Sequence, residues 1–371
     1  MSAIASAPAG IAEPHRPALG RRVATAGLLV VLAIALLFAV PGLRPELRAI
    51  GAIDPLWVAL AIALELASGI SFTIVFRLFF DRVPGRDARA LAWTSMASGA
   101  LLPGGGVGGY AIGGWLIHLT GASTSWIVRR SSGLFFLTSA VNGAALIGAG
   151  MLLLAGAPGP HDFARSVLPA LLAGAIALTV LALPRITSRR AGAPAWLEGV
   201  VTGIRDAQQT ARHPSWRLVG ALGYLGFDMA VMWVAFRAMG AAPPVAALVL
   251  GYVIGYLANM LPVPGGIGVL DAGLSGALLL YGVSPAHVVA AVLVYHAIAF
   301  WIPSVGGLIA YARLRPRLTA EASTPATRHL VTKPFIYNEN RTRRPLAPAP
   351  AQLALSYSRV VHEHDRQDHA V

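Results

Sequence analysis

Ionisable side chains are rare inside the apolar stretches of this chain, and the few that occur there could do chemistry. Glu65 and Asp228 each lie within a long apolar segment, Asp271 follows a glycine-rich break, and His296 lies in the last apolar segment. Charge is costly in hydrocarbon, so such residues normally face a watery cavity or a partner. Carboxyl and imidazole groups there can contact a polar substrate or carry protons. Structural pairing, for example with Arg237 or a histidine, is the alternative interpretation.

A Pro-Gly-Gly tripeptide occurs twice in apolar surroundings, and the two copies are 161 positions apart. The same offset maps Glu65 onto position 226, two residues from Asp228. A helix breaker followed by glycines exposes backbone groups that lipid cannot satisfy, so it must be buried in protein or line a cavity. Two such breaks in matching halves indicate a transport path. The predicted path comprises Pro103, Gly104, Gly105, Gly106, Pro264, Gly265, Gly266, Glu65, Asp228, Asp271 and His296.

Two of these predictions leave alternatives open. The glycines could free backbone amides for an anionic group at a helix N-terminus, or they could allow close helix packing. Asp271 could contact substrate, or its carboxylate could cap the half-helix that begins after the break.

Composition excludes several classes of protein. Hydrophobic residues make up 56% of the 371 positions and charged residues 12%, whereas soluble proteins average roughly 25% charged residues. We therefore expect an integral membrane protein. The net charge of +13 comes from arginines between apolar segments and in the tails, which does not indicate nucleic-acid binding. The absence of cysteine excludes disulfides and thiolate chemistry.

The sequence contains no catalytic or cofactor-binding motif in a setting where it could function. Gly104-x-Gly106-x-x-Gly109 matches the dinucleotide fingerprint, but position 129 is Arg where that fingerprint needs an acidic residue, and the setting is a membrane segment. His362-Glu363-His364 belongs to a polar, Pro-containing tail. We expect no catalytic motif, no cofactor and no bound metal.

The apolar segments predict an all-α integral membrane protein. Six are suited to crossing about 30 Å of hydrocarbon: they run near 23–40, 55–76, 131–156, 167–183, 218–238 and 286–311. Two more, near 90–119 and 245–281, are broken by the Pro-Gly-Gly motifs, and each half is too short to span. We predict that both form re-entrant hairpins. The stretch 194–209 could form an interfacial helix or a solvated linker helix.

The distribution of arginines predicts the topology. With both termini in the cytoplasm, most arginines of the loops lie inside, as the positive-inside rule requires. The hairpins then open on opposite sides, so that repeat 1 (about 23–156) and repeat 2 (about 167–312) form an inverted repeat. The expected domains are a tail at 1–22, a membrane domain at 23–312 and a disordered basic tail at 313–371. Arg129 and Arg130 lie where the first hairpin returns to the cytoplasmic surface, and they could contact lipid phosphates or anchor the topology.

The second glycine break carries a resemblance to a known family. The stretch Leu261-Pro262-Val263-Pro264-Gly265-Gly266-Ile267-Gly268-Val269, with Gly282-Val283 and Phe300-Trp301-Ile302-Pro303, resembles the lysylphosphatidylglycerol synthase transmembrane, or flippase-like, family (uncharacterised protein family 0104). The stretch 102–109 is similar to that family's other glycine-rich motif. That family usually has Glu where this chain has Asp271, and Arg near His296. An aminoacyl-transferase domain is not expected here.

The resemblance implies a flippase-like transporter that moves an anionic or amphipathic lipid across the bacterial inner membrane by alternating access. Its expected partners are membrane lipids, with a homo-oligomer or proteins of a cell-envelope pathway as further options, and no nucleic acid. One alternative is a membrane-embedded lipid-modifying enzyme that uses Glu65, Asp228 or His296 as acid and base groups. Another is an accessory subunit of a cell-envelope lipid or glycan pathway.

Overall fold

The structure is a computed structural model that describes residues 53–102, 105–119, 122–187, 195–213, 215–241, 243–261 and 263–323. Those residues form helices and short connections, with no strand among them. The predicted first span at 23–40, the tail at 1–22, Pro103, Gly104 and residues 324–371 lie outside the described residues.

Ten α-helices follow one another in the described residues. They are α1 (Pro55–Phe79), α2 (Gly85–Leu101), α3 (Gly105–Leu119), α4 (Thr124–Leu154), α5 (Phe163–Thr187), α6 (Ala195–Arg212), α7 (Val219–Ala238), α8 (Val245–Gly255), α9 (Val269–Leu280) and α10 (Pro285–Ser323). Five of these are long and apolar enough to cross a membrane: α1, α4, α5, α7 with the turn before it, and α10. The prediction of an all-α membrane protein is therefore confirmed.

Several helices run beyond the apolar segments predicted for them. The α4 helix begins at Thr124, because the Ser123 side chain caps it by accepting a hydrogen bond from the Trp126 N–H group. The α10 helix continues to Ser323, past position 312, where the sequence places the end of the membrane domain. In both cases the apolar segment marks the part of a helix suited to hydrocarbon, and the helix itself continues into polar sequence.

The α1 and α7 helices pack side by side in antiparallel directions. Near one end Arg217 donates to the carbonyl of Arg77 (3.2 Å), and further along Ser68 donates to the carbonyl of Tyr224 (3.0 Å). A Cβ atom added to Gly220 would lie 2.6 Å from the Ser71 carbonyl oxygen, so the backbones approach closely. This register brings Glu65 of α1 level with Asp228 of α7.

Each glycine break separates two short helices that pack against each other as a hairpin. In the first hairpin, α2 and α3 meet where Gly113 lies against Ser95. In the second, a Cβ atom on Gly255 of α8 would lie 2.8 Å from the carbonyl oxygen of Gly273 in α9. Small residues thus hold both pairs together, as expected for helices in lipid.

The two hairpins enter from opposite ends of the helix bundle. At one end, beyond α1, the ring of Phe80 lies 5.6 Å from that of Trp126, just after the first hairpin has returned. At the other end, Arg165 donates to the carbonyl of Leu280 (3.1 Å), where the second hairpin finishes. The α4 and α10 helices begin at Thr124 and Pro285, which are 161 positions apart. These positions fit the inverted repeat that the sequence predicts, whose first span, at 23–40, lies outside the described residues.

The α6 helix lies along α4. Its residues Val201, Ile204 and Ala207 are buried, and a Cβ atom on Gly203 would collide with Ser132. Arg130 of α4 and Asp206 of α6 form an ion pair at 3.0 Å. The apolar side of α6 is thus covered by protein, so neither expectation for the stretch 194–209 describes it fully.

Candidate functional site

The tip of the second hairpin lies against the end of the first. A Cβ atom on Gly265 would lie 2.8 Å from the Phe300 ring and 3.5 Å from the carbonyl oxygen of Ala100, at the end of α2. Gly265, Gly266 and Gly268 all have positive φ angles, between 64° and 79°. Glycine adopts this conformation at little cost, whereas a side chain makes it strained. The glycines of this motif are therefore required by the shape of the tip.

Asp271 and His296 hold this tip through a set of hydrogen bonds that we call the hairpin clamp (Gly265, Asp271, His296). One carboxylate oxygen of Asp271 accepts from the Gly268 N–H group at 2.9 Å, which caps α9. The other oxygen lies 2.6 Å from Nδ1 of His296, and Nε2 of that ring lies 3.0 Å from the Gly265 carbonyl oxygen. Of the two interpretations of Asp271, substrate contact and capping of α9, the hydrogen bond from Gly268 is that of a helix cap.

The clamp fixes where hydrogen atoms must be. A carbonyl oxygen only accepts, so Nε2 of His296 carries a hydrogen atom and donates it to Gly265. The contact between Nδ1 and the Asp271 carboxylate then contains one proton, which belongs either to the ring or to the carboxyl group. The clamp therefore places a short hydrogen bond between a carboxyl group and an imidazole next to the break in the helix.

A second polar group, the carboxyl–tyrosine cluster (Glu65, Asp228, Tyr252, Tyr295), lies where the two halves meet. The hydroxyl of Tyr252 donates to Asp228, and the hydroxyl of Tyr295 lies 3.1 Å and 3.2 Å from its two carboxylate oxygens. Glu65 is only 4% exposed, and its Oε2 atom has no hydrogen-bond partner among the described residues. It is close enough to Asp228 for the two carboxyl groups to interact electrostatically.

The two groups are joined through α10. Tyr295 of the cluster and His296 of the clamp are consecutive, so they leave the helix in different directions and each contacts one group. Together the groups offer carboxyl, phenol and imidazole side chains in an apolar setting. Such an arrangement can exchange protons and can form hydrogen bonds with a polar head group, and we see in it no activated nucleophile.

Sequence reasoning named the acidic members of the cluster but missed both tyrosines. Tyrosine is common in apolar segments, and Tyr252 and Tyr295 lie on helices 43 positions apart in sequence, so no local spacing marks them. Arg237 does not pair with Asp228: its guanidinium lies over the ring of Trp233, 5.5 Å from the centroid.

The remaining predicted site residues have the following positions. Gly105 and Gly106 form the first turn of α3, whereas Pro103 and Gly104 lie outside the described residues. Pro264 begins the short turn that also contains Gly265 and Gly266. Arg130 donates to both carboxylate oxygens of Asp206, at 3.0 Å and 3.2 Å. A lipid phosphate contact by Arg129 and Arg130 stays a prediction.

The fold and the site together define a multi-pass, all-α membrane protein with two opposed hairpins beside buried polar groups. Residues 23–307 match the lysylphosphatidylglycerol synthase TM region family, and the chain belongs to that family. The expected family is therefore confirmed. A segment of 91 residues is 33% identical to a UPF0104 membrane protein from Methanothermobacter thermautotrophicus. That segment covers 24% of this chain and 26% of the relative, so the match spans about a quarter of the length of each protein.

Proposed function

We propose that this protein moves an anionic or amphipathic lipid between the leaflets of the bacterial inner membrane by alternating access. The observation that carries the proposal is the meeting of two broken-helix hairpins, inserted from opposite ends, at Gly265 and Ala100. Inverted repeats with interrupted helices are a recurring architecture of transporters, which bind substrate near the midplane between the repeats. The membership of a family named for a lipid synthase supports a lipid as the substrate.

The glycine breaks would serve as hinges in this mechanism. Closure motions are absorbed by a few residues at element ends that change φ and ψ strongly. Gly265, Gly266 and Gly268 tolerate such changes because they have no Cβ atom. The motif Pro103–Gly106 would act in the same way in the first hairpin, since it contains the same Pro-Gly-Gly tripeptide.

Polar contacts along the path would come from Glu65, Asp228, Asp271 and His296. Two carboxyl groups that face each other resist being charged at the same time, so Glu65 and Asp228 favour a shared or exchanged proton. The clamp holds a proton between Asp271 and His296. A substrate phosphate that approached these groups would favour their protonated forms, which links lipid movement to proton movement.

The orientation follows from charge. The first hairpin opens at the end of the bundle that carries Arg82, Arg86 and Arg89, and the opposite end carries the paired Arg165 and Asp162. The positive-inside rule assigns the arginine-rich end to the cytoplasm. Both termini would then be cytoplasmic, and the protein would be an inner-membrane protein.

A leaflet-translocation assay tests this proposal directly. The purified protein is reconstituted into liposomes that contain a trace of fluorescent phosphatidylglycerol, and a membrane-impermeant reductant bleaches the probe in the outer leaflet. We expect the protected inner-leaflet fraction to become accessible faster in proteoliposomes than in empty vesicles. The assay is repeated with other anionic lipids. If the rate in proteoliposomes equals the rate in empty vesicles for every lipid, lipid translocation is contradicted.

One observation also favours a second function, that of a lipid-modifying enzyme. The carboxyl–tyrosine cluster gathers groups from both halves at one place, which a membrane-embedded lipid-modifying enzyme would also need. Mass spectrometry of lipids from a deletion strain separates the two functions. A missing lipid species would favour the enzyme, whereas an unchanged inventory with altered exposure on the outer leaflet would favour transport.

A further inference from the structure

A groove of about 710 Å³ runs between α2 and α10, with one contribution from α1, and it is separate from the polar groups described above. On α10 its lining residues include Trp301, Val305, Ile309 and Arg313, which recur every four positions and so share one face of the helix. On α2 the groove is lined by Arg86, Arg89 and Trp93, which also share a face. The two faces line the groove from opposite sides.

One end of the groove is cationic. Arg86, Arg89 and Arg313 all line it there, accompanied by one acidic residue, Asp87. The three arginine residues are exposed, and none of them forms an ion pair within the part of the chain that the structure describes. Guanidinium groups bind phosphate through paired, charge-assisted hydrogen bonds. This end therefore complements an anionic phosphate group.

The rest of the groove is apolar. Trp301, Val305 and Ile309 are each nearly half exposed, at 47%, 48% and 48%. Trp93 forms part of the wall, and its ring is fixed between Gly69 of α1 and Gly306 of α10. From Trp301 to Arg313 the helix advances about 18 Å, close to the ~15 Å thickness of one leaflet. The groove thus matches one acyl chain in length, with the arginines at the level of its head group.

We infer that this groove binds a phospholipid with an anionic head group, its phosphate at Arg86, Arg89 and Arg313 and an acyl chain along Trp93 and Trp301. A phospholipid fits the cationic end better than a segment of this chain does, since the apolar stretch 23–40 is preceded by Arg16, Arg21 and Arg22 and would bring no anionic partner for the arginines of the groove. A zwitterionic lipid fits the apolar part equally well but leaves the three arginines without a net negative partner.

The groove also leads toward the hairpin tips. The ring of Trp301 lies 5.5 Å from that of Phe300, which in turn lies against Gly265. A lipid held here would have lateral access to the tips, and this consequence rests on the proposed function. Lipid binding in the groove does not depend on the proposed function, because a groove can hold a lipid that is never transported.

Tryptophan quenching by brominated lipids tests the inference without requiring transport. The purified full chain in detergent micelles is titrated with phosphatidylglycerol that carries brominated acyl chains, and in parallel with phosphatidylcholine that carries the same chains. We expect phosphatidylglycerol to bind at least about fivefold more tightly. The Trp301→Phe variant should lose the part of the quenching that comes from Trp301, while Trp93 in the same groove remains. The triple variant Arg86→Gln, Arg89→Gln, Arg313→Gln should bind at least about tenfold more weakly, equivalent to a loss of at least about 1.4 kcal/mol of binding free energy. Arg212→Gln, at the end of α6 and outside the groove, is the control and should bind like wild type.

Three results would overturn the inference. The two lipids could quench equally, the triple variant could bind like Arg212→Gln, or quenching could be unchanged in Trp301→Phe, as it would be if another part of the chain filled the groove. Glycerol phosphate, which has the head-group phosphate but no acyl chain, is added as a competitor. We expect it to displace the brominated lipid far less well than unbrominated phosphatidylglycerol, and equal displacement would also count against a lipid site. Failure of translocation with intact binding would refute the proposed function and leave this inference standing.

Discussion

Among single residues, Glu65 is the one whose surroundings bear most directly on the proposed function. Its side chain is buried on α1, and one of its oxygen atoms lacks a hydrogen-bond partner among the described residues, while the neighbouring Asp228 receives hydrogen bonds from two tyrosines. Burial of an unpaired charge costs several kcal/mol. A buried carboxyl group in this setting is expected to be protonated or to exchange a proton with its neighbour.

We expect Glu65→Gln to fold normally and to translocate lipid at least about tenfold more slowly, since a glutamine keeps the shape of the side chain but cannot release a proton, and tenfold corresponds to about 1.4 kcal/mol. The measurement is the translocation rate together with the melting temperature. Glu198→Gln, an exposed substitution on α6, serves as the matched control. Equal rates for the two variants would show that the Glu65 carboxyl group has no part in transport.

At this scale the sequence predicted the candidates but not their partners. The 161-residue offset placed Glu65 and Asp228 at matching depths, and the structure brings them together because α1 and α7 are antiparallel neighbours. Asp271 and His296 were named separately, and their contact at 2.6 Å depends on how α9 packs against α10. Such contacts arise from tertiary packing, which local patterns do not encode.

At the scale of elements, the packing of α10 on α2 positions both the site and the groove. Gly306 and Gly307 of α10 lie directly against Trp93 of α2, and Gly307 also lies against Ala97. This contact fixes one wall of the groove and holds the residues that precede Gly306, including His296, near the hairpin tips. The helices themselves were predictable from apolar segments, but their lateral packing was not, because small residues occur on many faces.

We expect Gly307→Ala to destabilise the protein by about 1–3 kcal/mol, the usual effect of overpacking, because the added Cβ atom would collide with the backbone of α2. Thermal unfolding in detergent, followed by tryptophan fluorescence, measures the change. Gly174→Ala on α5 is the control, since a Cβ atom there meets nothing within 4 Å. A melting temperature equal to that of Gly174→Ala would mean that α2 and α10 are not in close contact.

At the scale of the whole molecule, the inverted repeat can be tested for its orientation in the membrane. The chain contains no cysteine, so single cysteines can be introduced without a modified background. Thr124 and Ser284 are exposed and lie at the starts of α4 and α10, at opposite ends of the bundle. A membrane-impermeant thiol reagent applied to intact cells should label Ser284→Cys and leave Thr124→Cys unlabelled. Reversed labelling would overturn the assigned orientation, and labelling of both positions would overturn the inverted arrangement.

The two hairpins were predictable from the sequence, because a helix breaker inside an apolar segment has few solutions in lipid. Hairpins follow from the shortness of each half, and their opposite directions follow from the arginine distribution. The meeting of the two tips was not predictable, since it depends on how deeply each hairpin inserts. That meeting at Gly265 is the feature on which the proposed mechanism depends.

The central claim is that the hairpin tip works as a hinge for lipid movement, and a pair of glycine variants tests it most directly. In Gly265→Ala the backbone of the alanine must keep a φ of 68°, and its methyl group would lie 2.8 Å from the Phe300 ring. In Gly276→Ala, on α9 of the same hairpin, the methyl group meets nothing within 4 Å. Translocation of fluorescent phosphatidylglycerol is measured for both variants after circular dichroism has shown equal helical content. We expect a rate at least about tenfold lower for Gly265→Ala, equivalent to about 1.4 kcal/mol, and a rate near wild type for Gly276→Ala. Equal rates for the two variants would contradict the hinge and, with it, the proposed mechanism.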